Sequence, residues 1–236
     1  MDWDVLIIFD ACRFDCFEEQ YERYLKGNLI KVRSEGVNTK QWMTYTWKGW
    51  YDVIYVSAMP YINGMGIPFA KWRATDHFKE IIDVWNWGFD EEIGWIPPDS
   101  VNETMLEVYD PDEKYIIHYV QPHKPYIGRT NIYTLRNVHS LRDKMLGVTD
   151  NPIVKWDTGS KAKNRVESHQ LLYAAYKETL DLVLEKASEI IEWMQGKIII
   201  TADHGELMGE DGRWGGHLRG PRCPALLHVP WLEVEK

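Results

Sequence analysis

The 236-residue chain is poor in anything that would cross-link or anchor it. Its three cysteines, Cys12, Cys16 and Cys223, form an odd and sparse set, without a disulfide framework or a zinc-knuckle spacing. No stretch reaches the roughly 18 apolar residues that a membrane span needs. No basic segment followed by an apolar run opens the sequence. A cytoplasmic protein is the default expectation from this pattern, and a fragment of a longer, anchored protein would read the same way. Basic residues are also short, with 27 Lys and Arg against 36 Asp and Glu and a formal net charge of -9. That balance argues against a nucleic-acid partner, which needs a basic footprint. It leaves anionic substrates open, because a bound dication can dominate the local field. No Gly-x-Gly-x-x-Gly follows the first strand-like segment, which disfavours a nucleotide-binding oxidoreductase. There is no internal repeat and no low-complexity segment.

What is present is ordinary for a globular protein, 44% hydrophobic and 27% charged. Twelve Trp and thirteen Tyr stand out. Core packing is their usual use, and lining a groove is the alternative. The length suits one large α/β domain.

Val5-Leu6-Ile7-Ile8-Phe9 is a continuous apolar run rich in β-branched residues, as expected of a strand buried on both faces. A helix is expected over Arg13 to Tyr24, a strand at Leu29 to Val32, a helix at Thr39 to Trp47 and a strand at Val53 to Val56. Asp99 or Ser100 could cap a helix running through Val108. Tyr115 to Val120 reads as the next strand, and helical pieces are expected near Leu135 to Leu146. From about Asn164 to Gln195, apolar residues recur every three or four positions (Leu172, Tyr176, Leu180, Val183, Ala187, Ile190 and Met194), which gives a helix one apolar face. Lys197 to Thr201 and Ala225 to Val229 complete the expected strands. Alternating strands and helices imply a mainly parallel central sheet flanked by helices on both faces. Ligands collect at the carboxyl ends of such strands.

Metal-ligand residue types gather at those ends. Asp10 follows the first strand, His118 and His123 belong to the fourth, Asp203 and His204 follow the strand after the long helix, and a glycine-rich loop adds His217. Carboxylate and imidazole are the usual ligands of catalytic zinc, and carboxylate also suits manganese or magnesium. A lone strand-end Asp is usually a turn residue and a lone His a packed one. Their convergence after several apolar strands is what points to a site.

The same residues carry a resemblance. Ile199-Ile200-Thr201-Ala202-Asp203-His204-Gly205-Glu206 resembles the Thr/Ser-Asp-His-Gly-Glu signature of sulfatases and phosphoethanolamine transferases, members of the alkaline phosphatase superfamily. Leu6 to Asp15 is similar to that superfamily's opening strand and Asp-x-x-Arg-x-Asp. Ile117 to Tyr126 resembles its central strand followed by Pro-His-x-Pro-Tyr, and Gly209 to His217 resembles the segment that returns a last histidine to the metals. The matches come in family order over residues 3 to 230.

The resemblance implies an alkaline phosphatase-like α/β fold over residues 1–236, with substrate-side insertions at 60–113 and 127–163. It implies one or two divalent metal ions, zinc or manganese, and an anionic ester substrate. It also implies a nucleophile at the start of the helix after the second strand, where Thr39 fits. Ser34, Thr44 and Thr46 are alternatives, and Thr39 could be no more than a helix cap. On this reading Asp10, Thr39, Asp203 and His204 hold the first metal. His123 and His217, with or without His118, hold a second metal or act on the leaving oxygen as proton donors. Lys124 and Arg13 could offset charge on the transferred group, although Arg13 could equally pair with Asp15. The sequence departs from true sulfatases, because neither Cys12 nor Cys223 lies in the Cys/Ser-x-Pro-x-Arg motif that is converted to formylglycine. That departure favours a phosphate ester or phosphodiester as substrate. A sulfate-ester hydrolase without formylglycine and a decayed binding module of the same fold are the alternatives.

Overall fold

A computed structural model describes residues 2–69, 71–130, 141–148, 165–217 and 222–236. The chain opens on β1 (Val5–Asp10), α1 (Phe14–Gln20), β2 (Gly27–Arg33), α2 (Thr39–Thr46) and β3 (Tyr51–Ser57). It continues through β4 (Phe78–Ile82), α3 (Val84–Trp87), α4 (Pro98–Val108) and β5 (Tyr115–Pro122). Then come α5 (Leu141–Met145), α6 (Arg165–Ile191), β6 (Ile198–Ala202), β7 (Leu207–Met208), β8 (Trp214–Gly216), α7 (Pro224–Leu227) and β9 (His228–Val234).

The seven-stranded sheet has the order β2-β9-β6-β1-β5-β3-β4. Its centre is parallel, β1 pairing with β6 on one side and β5 on the other, and β3 pairing in parallel with β5 and β4. Every residue of β1, β5 and β6 is buried, which explains why these strands read as mainly apolar runs, with His118 and Gln121 in β5 and Thr201 in β6 among the exceptions. Side chains alternate across the sheet. Val5, Ile7 and Phe9 enter a core with α1, α4 and α6, whereas Leu6 and Ile8 enter a second core with Trp42, Trp47, Tyr55 and Phe78. Most of the tryptophans therefore do the expected packing. Trp42 and Trp47 meet edge to face at 5.8 Å, and Trp47 meets Phe78 at 5.3 Å, which seats α2 on the sheet.

The long helix α6 buries Leu172, Tyr176, Leu180, Val183, Ala187 and Ile190 along the predicted face. Its expected first residue, Asn164, and residues 135–140 of the expected helical pieces lie outside the described residues. Within the segments read as insertions, β4 forms an edge of the main sheet and α4 packs on α6. Helix α4 begins at Pro98 with no side-chain cap, so neither Asp99 nor Ser100 starts it; Pro at the first turn needs no N–H partner there.

The last strand differs from the expected Ala225 to Val229. Pro224 opens a helical turn through Leu227, and the strand runs from His228 to Val234. It is antiparallel to both β2 and β6. Its proline had masked it. Pairing with β6 ends at Trp231, and Pro230 offers only its carbonyl, to Thr201 Oγ1 at 2.7 Å. Among the described residues no helix is long and apolar enough to cross a membrane.

Immediately after β1 the backbone turns through Ala11, whose φ of 59° lies in the left-handed region that a β-carbon disfavours. Buried Tyr176 holds this turn, its hydroxyl donating to the Ala11 carbonyl at 2.8 Å and accepting from the Arg13 N–H at 2.9 Å. Tyr176→Phe keeps the packing and leaves both backbone groups unsatisfied. The expected cost is about 1–3 kcal/mol in urea unfolding; an unchanged midpoint would mean the turn is held by other contacts.

Candidate metal centre

The sheet register delivers the site. Phe9 stands level with Ala202 on one side and Tyr119 on the other, and Asp10 is level with Pro122. The residues that follow these strand ends, Asp203 and His123, therefore emerge beside Asp10 at one edge. Asp10 continues the Leu6 and Ile8 face, so it points toward the side that carries α2.

Two groups of ligand-type side chains form there, Asp10 with Asp203 and His204, and His123 with Glu206 and His217. Within each group the donor atoms lie within 4.8 Å of one another. The rings of His204 and His217 are 4.2 Å apart, so the two groups are neighbours. His217 arrives on the hairpin of β7 and β8. Gly209 turns that hairpin with φ 123°, and a β-carbon there would lie 2.8 Å from the Trp214 ring.

The loop after β6 is fixed by its own backbone. Asp203 Oδ1 accepts from the N–H groups of Ala11 at 3.0 Å and His204 at 2.8 Å, which leaves Oδ2 facing the site. Gly205 passes so close to the turn of α7 that an added β-carbon would meet the Ala225 carbonyl at 2.0 Å. Arg13 straps the loop to the exit of β1. It bonds both oxygens of Asp15, Glu210 Oε1 at 2.7 Å and the Glu206 carbonyl at 3.0 Å. Arg13 is thus paired with Asp15, one of the two uses open to it.

The histidine tautomers follow from acceptors that cannot donate. His204 Nδ1 donates to the Gly205 carbonyl at 2.7 Å, and His123 Nδ1 donates to the Lys124 carbonyl at 2.7 Å. Burial pushes both imidazoles below their ordinary pKa, with the neighbouring His217 adding to the effect. Each neutral ring then presents an Nε2 lone pair. That of His204 lies 3.5 Å from Asp10 Oδ1, 3.3 Å from Asp203 Oδ2 and 3.3 Å from the Thr39 hydroxyl. A lone pair and two carboxylates face one another, and among the described residues that hydroxyl is the donor at hand. Asp10 Oδ1, Asp203 Oδ2 and Glu206 Oε2 are all buried without a hydrogen bond. Burial, then the charges of Asp203 and Glu206, raise the Asp10 carboxyl well above the ordinary range. Burial pushes Glu206 upward too, but His217, His123 and Lys124 hold it down at about 2. Orphaned carboxylates with oriented imidazoles are a donor set that fits a divalent cation.

Thr39 is the first residue of α2, and it is not the cap. Asn38 caps the helix by accepting from the Gln41 N–H at 3.0 Å, so the Thr39 hydroxyl is left for His204. The alternatives are placed elsewhere. Ser34 Oγ bonds the carbonyls of Asp203 and Gly36, Thr44 Oγ1 bonds the Lys40 carbonyl, and Thr46 Oγ1 is buried without a partner. His118 lies deeper, level with Ile8, with Nδ1 2.8 Å from the Tyr55 hydroxyl and its ring against Trp42. Burial lowers its pKa to about 4, so it is neutral at physiological pH. It belongs to neither ligand group. Glu206 is the residue that sequence reasoning left out of the ligand set. Its signal was present, as the last member of the Asp-His-Gly-Glu block.

A cavity of about 410 Å³ opens beside these groups, with Asp10, Thr39, His123 and His217 in its lining. Trp95 and Trp214 also line it, so some aromatics do serve a groove.

No family model matches the chain. Low-salt glycan biosynthesis sulfotransferase Agl7 of Haloferax volcanii is 23% identical over 256 residues, covering 98% of this chain and 54% of that protein. The chain thus spans about half the length of the curated relative it matches. Among solved structures, the soluble domain of lipooligosaccharide phosphoethanolamine transferase A from Neisseria meningitidis superposes with a TM-score of 0.57 at 15% identity, over 98% of this chain and 76% of that one. Phosphonate monoester hydrolase of Agrobacterium radiobacter gives a TM-score of 0.57 at 14% identity, over 97% and 67%. The parallel centre of the sheet, the flanking helices and these superpositions together make the fold alkaline phosphatase-like, the superfamily that the sequence motifs resemble.

Proposed function

We propose that this chain is a metal-dependent hydrolase or transferase of phosphate esters or phosphodiesters, with Thr39 as its nucleophile. The observation that supports this best is the Nε2 lone pair of His204, turned toward two buried carboxylates and the one hydroxyl at the start of α2. Asp10, Thr39, Asp203 and His204 would hold one ion. His123, Glu206 and His217 would hold a second or, with a single ion bound, meet the leaving oxygen and supply its proton. Zinc suits this mixture of carboxylate and imidazole, and manganese is the alternative. A divalent ion held there supplies Lewis acidity, neutralising the oxygens of the ester and easing loss of the hydroxyl proton.

Thr39 sits at the positive end of α2, where backbone N–H groups favour a developing anion. Its oxygen would attack phosphorus in line, forming a P–O bond as the bond to the leaving alcohol breaks. Water or an acceptor alcohol would then take the phosphoryl group and return the Thr39 hydroxyl. Lys124, which lines the cavity and donates to the Gly215 carbonyl at 3.0 Å, would offset charge on the transferred group. His118 would support the ligand set from behind as a neutral group.

Sulfuryl transfer is the second reading, favoured by the relative named as a glycan biosynthesis sulfotransferase. The same geometry serves a tetrahedral sulfate ester. Turnover of p-nitrophenyl sulfate in preference to bis-p-nitrophenyl phosphate would select it; the reverse preference is expected.

Thr39→Ala should lower turnover of bis-p-nitrophenyl phosphate by about a thousandfold or more, while metal content by elemental analysis stays above half of wild type. Full activity in that variant would move the nucleophile elsewhere. The raised Asp10 pKa has its own consequence. A carboxyl whose folded pKa lies above the unfolded value contributes stability at low pH, which is lost as pH rises through the folded pKa. Metal-free protein should therefore weaken from about pH 4 upward through this group, and added zinc or manganese should raise Tm more near neutrality than near pH 5. Thermal melts with and without metal check this, and Asp10→Asn should shrink the difference. Equal or absent metal shifts at both pH values would count against the ion.

A further inference from the structure

The cavity wall carries cations as well as the ligand-type residues Asp10, His123 and His217. Lys40, Lys124 and Arg213 line it, in a chain whose formal net charge is -9. Lys40 follows Thr39 on the first turn of α2. Its ammonium lies 4.8 Å from the centre of the Tyr61 ring and 4.2 Å from that of Phe69. Aromatic faces hold a cation in place without neutralising it. Among the described residues no carboxylate pairs with Lys40, and the other charge that acts on it is the like charge of Lys144 on α5. A half-buried cation beside a second cation, with no acid to answer it, is an unfavourable arrangement until an anion arrives.

The position of Lys40 says which anion. Consecutive helix residues point about 100° apart and do not share a face. Thr39 turns to His204, whereas Lys40 turns to the Tyr61 and Phe69 rings. A ligand touching both must extend from one to the other. The cavity wall near them includes Met59, Tyr61 and Trp95, which suits an apolar or ring-shaped spacer. We propose that Lys40, cradled by Tyr61 and Phe69, is a specificity-determining residue that binds a second anionic group of the substrate. The preferred ester therefore carries one negative charge at the reacting centre and another beyond it. This rests on the ester chemistry proposed above and narrows its substrate class.

The test uses two matched esters, 4-nitrophenyl phenylphosphonate and its analogue with a para-carboxylate on the phenyl ring. Wild type should favour the carboxylated ester by about tenfold or more in kcat/KM, mainly through KM, the size expected of one charge-assisted contact. Lys40→Met, similar in bulk but uncharged, should abolish that ratio, and Lys40→Arg should restore most of it. Circular dichroism and Tm establish that the variants are folded. No preference in wild type, or equal losses on both esters in Lys40→Met, overturns the proposal. Absence of wild-type turnover on both esters and on bis-p-nitrophenyl phosphate would instead overturn the ester reading. Titration calorimetry with phenylphosphonate and 4-carboxyphenylphosphonate then decides about Lys40. Tighter binding of the carboxylated ligand, lost in Lys40→Met, sustains it, and equal binding overturns it.

Discussion

Three carboxylates, Asp10, Asp203 and Glu206, stand buried at the carboxyl edge of one sheet, each with an oxygen that no donor among the described residues reaches. Burying a charge without a partner is among the costliest things a fold can do. Much of the surrounding structure is organised around tolerating that cost in a fixed geometry. The imidazole of His204 cannot relieve it at Asp10 and Asp203, because the Gly205 carbonyl takes its Nδ1 proton and burial keeps the ring neutral. What remains is a cage of lone pairs and negative oxygens. A divalent cation in each ligand group would satisfy these oxygens together, where a side-chain donor would satisfy only some.

Holding such a cage requires rigid surroundings, and the contacts are of that kind. The left-handed turn at Ala11 aims its N–H at Asp203, and Tyr176 from α6 pins both sides of that turn. Arg13 then ties the turn to the Glu206 carbonyl and to Glu210. This arginine serves position, since its charge is already answered by two carboxylates. On the other face, Trp42 and Trp47 lock α2 against the sheet, and Asn38 takes the capping role. Because the cap is a separate residue, the Thr39 hydroxyl keeps a geometry set by the helix but a hydrogen-bonding capacity that the helix does not consume.

How much of this could be read in the sequence follows from what each residue contacts. The three central strands were legible because both faces are buried, so apolar residues dominate them and the polar ones, His118 and Gln121 in β5 and Thr201 in β6, are few. β9 was misplaced by its proline and by Pro224, whose turn hides three apolar residues that look like strand. The β7–β8 hairpin was not anticipated, since two- and three-residue strands leave no periodic signal. Asp10, Asp203, His204, His123 and His217 were found as residue types at strand ends and in a glycine-rich loop. Glu206 was left out of the ligand set although it closes the same block, and its complete burial is visible only in the fold. The helix start at Thr39 was legible, but not that Asn38 would cap it. The two differ by one position, and helix boundaries drift by that much in any sequence reading.

The cavity adds a constraint that neither motifs nor fold contain. Net charge is a property of the whole surface, and in this chain it is acidic. Lys40, Lys124 and Arg213 stand on the cavity wall beside the ligand-type residues Asp10, His123 and His217. Lys40 and Lys124 are half-buried there, where charge is screened less than on an open surface, and Arg213 is exposed. On the proposed reading, an anion with a single charge would meet a metal-loaded ligand cage alone, and one with a second charge set beyond it would also meet Lys40. Selectivity of this kind needs no large recognition domain, only a cation kept charged and fixed by aromatic rings at a set distance from the reacting centre.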